Sequence, residues 1–256
     1  MTLIINADDF GYSESVNRAI TDCFNQKRIN RTTIMVNMPY TDEAVSLAKE
    51  NGFFGCIGLH INLTEGKALS KECADSSLCD ENGFFKGEFH KPFKSRLYLS
   101  KKIRHAIFAE TKAQIEKYIE LGFTLMHADS HNYTHSYFSV YIPVRKLLKK
   151  YGFKTVRISR NISPEEFSLP FKIYKTIFNI MIKNLRINGK KIGTTKYFGS
   201  VQDLMGLKNT DEIKNDLELM THPDYIDGVL MDNTLPNPHE FVTKKWIDDN
   251  KLKLDD

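Results

Sequence analysis

The sequence predicts an α/β fold built on a largely parallel sheet. Three observations carry this. Short apolar runs of β type alternate with segments of helical period, the signature of successive βαβ units. The chain has 256 residues, a length at which α/β barrels often run undivided. No internal repeat, low-complexity stretch or linker separates two cores. One domain over 1–256 is therefore expected.

The elements follow in order. Leu3–Ala7 reads as a strand. Ser13 is a helix N-cap, after which Val16, Ala19, Ile20 and Cys23 recur at helical spacing. Thr32–Met38 is β-branched and ends at Pro39. Thr41–Glu50 is helical, with Ala44, Val45, Leu47 and Ala48 as its apolar face, and Asn51-Gly52 stops it. Cys56–Leu63 is a third strand. From Thr64 to about Ser100 the chain is rich in Gly, Lys, Ser and Phe and lacks a period, which reads as a long loop or small insertion over the site. A long amphipathic helix spans Leu97–Leu121. Thr124–Ala128 is a strand, Phe138–Tyr151 a helix interrupted near Pro143, and Thr155–Ile158 a strand. Pro170–Leu185 has a helical pattern. Leu217–Thr221 is the final strand, before a polar tail with a helix around Glu240–Asp249.

Composition narrows the function classes. Hydrophobic residues make up 41% and charged residues 27%, ordinary for a globular enzyme. The formal net charge of +4 is a mild bias, and the densest basic stretch, Lys183 to Lys196, is broken by Gly and apolar residues. No nucleic-acid partner is expected. No signal peptide and no apolar run of membrane-spanning length is visible, so a cytoplasmic protein without a membrane partner is expected. Cys23, Cys56, Cys73 and Cys79 form no CxxC pair. Cys73 and Cys79 flank a polar loop and could bridge, but reduced thiols are expected.

The residues that could carry chemistry sit at strand ends. The first apolar run stops in Asp8-Asp9, followed by Phe10-Gly11. Side chains alternate along a strand, so one acid can hold a cation while its neighbour keeps a proton-accepting oxygen free. The competing reading is a turn whose acids cap the next helix. Two further runs end in His60 and in His127-Ala128-Asp129-Ser130-His131. A carboxylate with two imidazoles is a familiar three-ligand set that leaves metal positions open. The stretch from His127 to His135 holds three of the eight histidines. Asp129 and His131, two apart, share a face of an extended chain, so Asp129 could orient a ligating imidazole. His127 and His135 either pack or line the cleft. Arg157 is a charge inside an apolar strand, for which Asp8 is a candidate partner, and it is counted with Asp8 and His222 as a candidate catalytic residue. His222 again ends a strand and is free to act as a general acid. Tyr12, Phe84, Phe85, Tyr133 and Tyr225 could stack on sugar rings.

These residues together resemble the YdjC-like carbohydrate deacetylases. The matching elements are Asn6-Ala7-Asp8-Asp9-Phe10-Gly11, Gly58-Leu59-His60 with Leu63-Thr64, Asp129-Ser130-His131 with His135, Val156-Arg157-Ile158, and Glu218-Leu219-Met220-Thr221-His222-Pro223. They stand in family order over nearly the whole chain. The resemblance implies a distorted (β/α) barrel, removal of an acetyl group from an N-acetylated, chitooligosaccharide-like sugar, and a divalent metal, magnesium or zinc. It implies Asp9, His60 and His131 as metal ligands, Asp8 as base, His222 as acid and a homo-oligomer, as a dimer. Family members often carry a run of histidines after Asp-Ser, where this chain has Asn132 and Tyr133 after His131. The alternatives are hydrolysis of another amide or a phosphoester at the same ligands, or a carbohydrate-binding protein without turnover.

Overall fold

The computed structural model describes residues 3–89, 91–164, 167–207, 213, 216–234 and 238–241. Its elements begin with β1 (Leu3–Phe10), α1 (Glu14–Asn25), β2 (Arg31–Ile34), α2 (Thr41–Glu50) and β3 (Ile57–Ile61). Two short helices follow, α3 (Lys71–Ala74) and α4 (Lys94–Leu97), then α5 (Lys101–Glu120), β4 (His127–Ser130), α6 (Phe138–Tyr151) and β5 (Thr155–Val156). After α7 (Leu169–Lys183) come a small hairpin of β6 (Arg186–Ile187) and β7 (Lys190–Lys191), then β8 (Tyr197–Ser200), α8 (Val201–Met205) and β9 (Leu217–Thr221). The described chain ends in β10 (Pro223–Ile226), β11 (Val229–Asp232) and β12 (His239–Glu240).

Seven strands form one parallel sheet in the order β5-β4-β3-β2-β1-β9-β8. It curls into a half-barrel with helices outside. The edges β5 and β8 do not pair as strands. Instead the irregular stretch after β5 crosses the gap, with the Asn161 and Ile162 amides donating to Phe198 O at 3.0 and 3.1 Å. A distorted barrel follows from this irregular closure. The central strand β1 is buried along nearly its whole length, as a strand covered on both faces must be. Ser13 caps α1 by accepting from the Val16 amide, and Val16, Ala19, Ile20 and Cys23 lie buried beneath that helix. Most of the buried apolar residues join in one cluster from Leu3 to Phe241. No helix among the described residues is long and apolar enough to cross a membrane.

Several elements depart from the sequence reading. The strand expected over Thr32–Met38 ends at Ile34, because Met35–Met38 turns away to receive the Thr41 hydroxyl on its carbonyls. The helix expected over Leu97–Leu121 starts at Lys101, where Ser100 caps it and separates it from α4. The strand expected at Thr124–Ala128 is displaced to His127–Ser130, and His131–Ser136 follows it as a 3-10 turn that carries His131 and His135. The helix at Phe138–Tyr151 runs unbroken through Pro143. Leu217–Thr221 is not the last strand. The chain turns back at Asp227-Gly228 into an antiparallel β10–β11 pair, extended by β12. Apart from Glu240, which lies in β12, and Phe241, the helix expected around Glu240–Asp249 lies outside the described residues.

The segment 64–100 is tied down from below. The buried Glu110 carboxylate on α5 accepts from the Leu69 amide and from the Ser70 amide and hydroxyl, at 2.8–3.1 Å. Antiparallel bridges at Lys67–Phe84 and Cys79–Phe85 close it on itself. The segment thus packs on α5 and on itself, and among its described residues only Glu65 reaches the cleft wall described below. All four cysteines are free thiols.

Candidate metal centre and active site

The site opens at the C-terminal ends of the central strands, where α/β sheets place their ligands. Its origin is a fault in β1. The pairing with β2 slips between Ala7 and Phe10, and Asp9 takes a left-handed backbone, φ +70°. Such a bulge re-aims side chains beside it, at a strain of roughly 1–2 kcal/mol for a non-glycine residue. The result is that Asp8 and Asp9 both line one cleft of about 350 Å³. Around them stand Tyr12, His60, Glu65, His131, Tyr133 and His222.

Asp9 sits between two imidazoles. Its Oδ1 is 3.1 Å from His60 Nε2 and 2.8 Å from His131 Nδ1. Three donors bound at about 2.1 Å to one divalent ion lie about 3 Å apart, so the spacing fits a metal. The donor chemistry fits as well: one carboxylate and two imidazoles, each imidazole braced from behind. His60 Nδ1 meets Asp129 Oδ1 at 2.7 Å. His131 Nε2 meets Glu65 Oε1 at 3.3 Å. A consecutive left-handed pair, Asn132 and Tyr133 (both φ 53°), lets the chain turn sharply after His131 and return over the cleft. Two other acid–histidine groups exist among the described residues, Asp8 with His60 and Asp129, and His127 with Asp129 and Glu218. Both are buried and already engaged by Arg157.

Beneath the cleft lies a buried charge cluster. Arg157 is fully buried. Its Nη1 and Nη2 donate to Asp8 at 2.7 and 2.8 Å, Nη1 also reaches Asp129 Oδ2 at 2.8 Å, and Nε donates to Glu218 at 2.6 Å. The guanidinium fork suits this task, because it offers fixed donors in a plane. Burial alone would raise the pKa of Asp8, but Arg157 and His60 overcome it and hold the carboxyl at about 2. Burial wins at Glu218 and pushes its pKa up. At His60 burial opposes charge, yet Asp129, Asp9 and Asp8 raise the imidazole to about 10. His131 rises to about 9 for the same reason, with Asp9 and Glu65 as the acids. The surrounding acids thus favour the protonated form of both imidazoles in the metal-free fold.

His222 follows β9 and faces the cleft. Its Nδ1 is 3.2 Å from Thr234 Oγ1, whose hydroxyl donates to Asp232 Oδ1 at 2.6 Å. With that hydroxyl spent on Asp232, Oγ1 accepts from Nδ1–H, and Nε2 is left toward Asp8, 4.0 Å from Oδ2.

The structure thus brings Asp8, Asp9, His60, His131 and His222 to one cleft. Arg157 touches no cleft space; it reaches the site only through Asp8 and Asp129, so its place is that of a positioning residue rather than a catalytic one. Asp129 orients His60, across the sheet, instead of the nearby His131. His127 and His135 do not line the cleft. His127 packs against Thr155 at 2.9 Å. His135 binds Ser130 Oγ at 2.7 Å, and burial lowers its pKa to about 4. Of the aromatics, Tyr12 and Tyr133 wall the cleft; Phe84, Phe85 and Tyr225 do not. Sequence reasoning missed Glu65, Asp232 and Thr234 altogether, and gave Glu218 no role.

The model of the family described as YdjC-like protein matches residues 2–250. The chain belongs to the YdjC-like family. A carbohydrate deacetylase of Clostridium beijerinckii is 31% identical over 236 residues, covering 91% of this chain and 86% of that protein. One from Thermoanaerobacter pseudethanolicus is 29% identical over 253 residues, covering 98% and 92%. Among solved structures, a candidate cellobiose-phosphate cleavage protein of Enterococcus faecalis V583 superposes with a TM-score of 0.70 at 22% identity, covering 100% of this chain and 97% of its own. That likeness bears on the YdjC-like fold alone.

Proposed function

We propose that this protein is a metal-dependent hydrolase that removes the acetyl group from an N-acetylated, chitooligosaccharide-like sugar and releases acetate. The YdjC-like relatives named carbohydrate deacetylases support the reaction class. The observation that carries the chemistry is Asp9 Oδ1 shared between His60 Nε2 and His131 Nδ1, with Asp8 beside it and His222 across the same cleft. Asp9, His60 and His131 would hold a divalent ion, zinc by the chemistry of two imidazoles and a carboxylate or magnesium by the family resemblance, and it would supply Lewis acidity toward a water and the amide carbonyl.

The remaining steps belong to the chain. Asp8 takes the proton of the attacking water. Arg157 and Asn6 occupy three of its lone-pair positions, leaving room at Oδ2 on the His222 side. Held near a pKa of 2, Asp8 is a weak base, so it works only on a water already made acidic. His222 acts in its imidazolium form: Nδ1–H stays on Thr234 while Nε2–H passes to the departing amine, leaving the neutral imidazole. The cleft volume of about 350 Å³ accommodates a sugar ring, with Tyr12 and Tyr133 as its aromatic walls.

The test is acetate release from N,N′-diacetylchitobiose by metal-stripped protein, alone and then supplied with magnesium, zinc, manganese or cobalt. Release only with metal supports the reading. Hydrolysis of aryl phosphates without acetate release from any N-acetyl sugar refutes it.

A further inference from the structure

Asn132 and Tyr133 wall two cavities. One is the cleft. The other, of about 260 Å³, lies on the far side of that turn and is lined by Arg96, Arg160, Lys175, Phe167 and Phe171. Three cations thus share a cavity that two turn residues separate from the proposed reaction site.

Among the described residues their charge is poorly met. Asp203 is the acid beside them, and its Oδ2 already accepts from the Ser200 amide at 2.8 Å to cap α8. It lies 3.4 Å from Arg160 Nε, which is buried and makes no hydrogen bond. Arg160 Nη2 has only a long contact to Ser163 Oγ, 3.4 Å. Among the described residues no carboxylate pairs with Arg96 or Lys175. Arg96 lies over the Tyr137 ring at 4.4 Å and Phe171 at 5.5 Å. Lys175 Nζ lies 3.6 Å from the Phe167 centroid and 4.7 Å from that of Phe171. Ring faces give a cation far less than a desolvated anion does. Burial, Arg160 and Arg96 push the Lys175 pKa down to about 7, and the nearby Asp203 only partly offsets them.

We propose that this cavity is an oxyanion site that takes a phosphate- or carboxylate-type group beside the catalytic cleft. Arg160 offers unspent guanidinium donors, Lys175 a point charge, and Arg96 a second guanidinium. The phenyl faces of Phe167 and Phe171 hold Lys175 and Arg96 around the cavity. The oxyanion has two possible sources: an acidic substituent on the sugar, a source that rests on the cleft being a sugar site, or a free inorganic anion.

Inorganic phosphate is the probe, titrated calorimetrically into the full, metal-free chain so that no ion in the cleft competes for it. Saturable binding is expected at one phosphate per chain. Lys175→Gln and Arg160→Gln should each weaken it about tenfold, the loss of one charge-assisted contact, while Lys175→Arg retains it. Thermal melts of the two Gln variants identify a folding defect, and either variant alone suffices. Absent binding, or equal binding by wild type and both folded Gln variants, overturns the site. Two kinetic arms then separate the sources, both consistent with the site. Phosphate that competes with an acid-bearing N-acetyl sugar but not with N,N′-diacetylchitobiose marks a substrate-borne group. Phosphate that competes with neither marks a free anion. If no sugar is deacetylated, the reading of the cleft fails while the binding titrations still decide the cavity.

Discussion

Asp129 Oδ1 lies 2.7 Å from His60 Nδ1, and this contact turns His60 Nε2 toward Asp9. The two residues are register partners on adjacent parallel strands, β3 and β4. The sheet itself therefore sets the orientation of the imidazole. Asp129→Asn keeps the shape but loses the anion. Such outer partners of a metal-bound histidine are worth about 10–100-fold in metal affinity. Competition with a chromogenic chelator should show a loss in that range; unchanged affinity would mean that Asp129 serves only Arg157.

Metal uptake should expel protons. His60 and His131 have pKa values of about 10 and 9 in the metal-free fold, above the ordinary 6.5. Their protonated forms thus stabilise the metal-free protein fully below pH 6.5, and that increment is lost as pH climbs through 9 and 10. A divalent ion must displace both protons at neutral pH, so its affinity rises with pH up to that range. Calorimetry at pH 7 in two buffers of different ionisation enthalpy should give about two protons released per ion. No net release would show that the imidazoles are neutral before metal arrives.

The buried cluster is asymmetric. Arg157→Met strands Asp8, Asp129 and Glu218 without their cation, which should destabilise the fold by about 3–5 kcal/mol. Glu218, whose pKa burial already raises, carries the least secure charge. Glu218→Gln should therefore lower stability by less than about 1.5 kcal/mol. Urea unfolding of both variants checks the order; equal losses would contradict it.

His135 should make the protein acid-sensitive through its neutral form. Burial lowers its pKa to about 4 in the fold, against 6.5 unfolded. Between these values the unfolded chain binds the extra proton, so stability rises with pH from 4 to 6.5 and is flat on either side. The span corresponds to about 3 kcal/mol. His127, also buried and lowered, acts in the same direction. In His135→Gln the slope of unfolding free energy against pH should fall by one proton across that window. An unchanged slope would place the titration elsewhere.

The legible parts of this molecule were those where local chemistry and tertiary role coincide. Leu3–Ala7, Cys56–Leu63 and Leu217–Thr221 are apolar because they lie inside a parallel sheet, and their polar ends mark the cleft. Other features are set by distance in three dimensions. Arg157 meets Asp8 and Glu218 from 149 and 61 residues away, and only Asp8 was foreseen as its partner. β8, Tyr197–Ser200, is four residues long, contains Gly199 and shows no alternation. The β10–β11 hairpin did carry a signal, the Asp227-Gly228 pair with both φ values positive, which is the usual chemistry of a tight hairpin turn. It delivers Asp232 and Thr234 to His222. Glu65 could have been noticed as an acid just before Gly66, a left-handed position where the chain reverses.

The central claim is that Asp8 removes a proton while Asp9, His60 and His131 hold the ion. Asp8→Asn tests it most directly, through acetate release and metal content measured on the same sample. The expected result is one ion per chain, as in wild type, with turnover reduced by about 10²–10⁴-fold. Wild-type turnover at equal metal content would contradict the assignment.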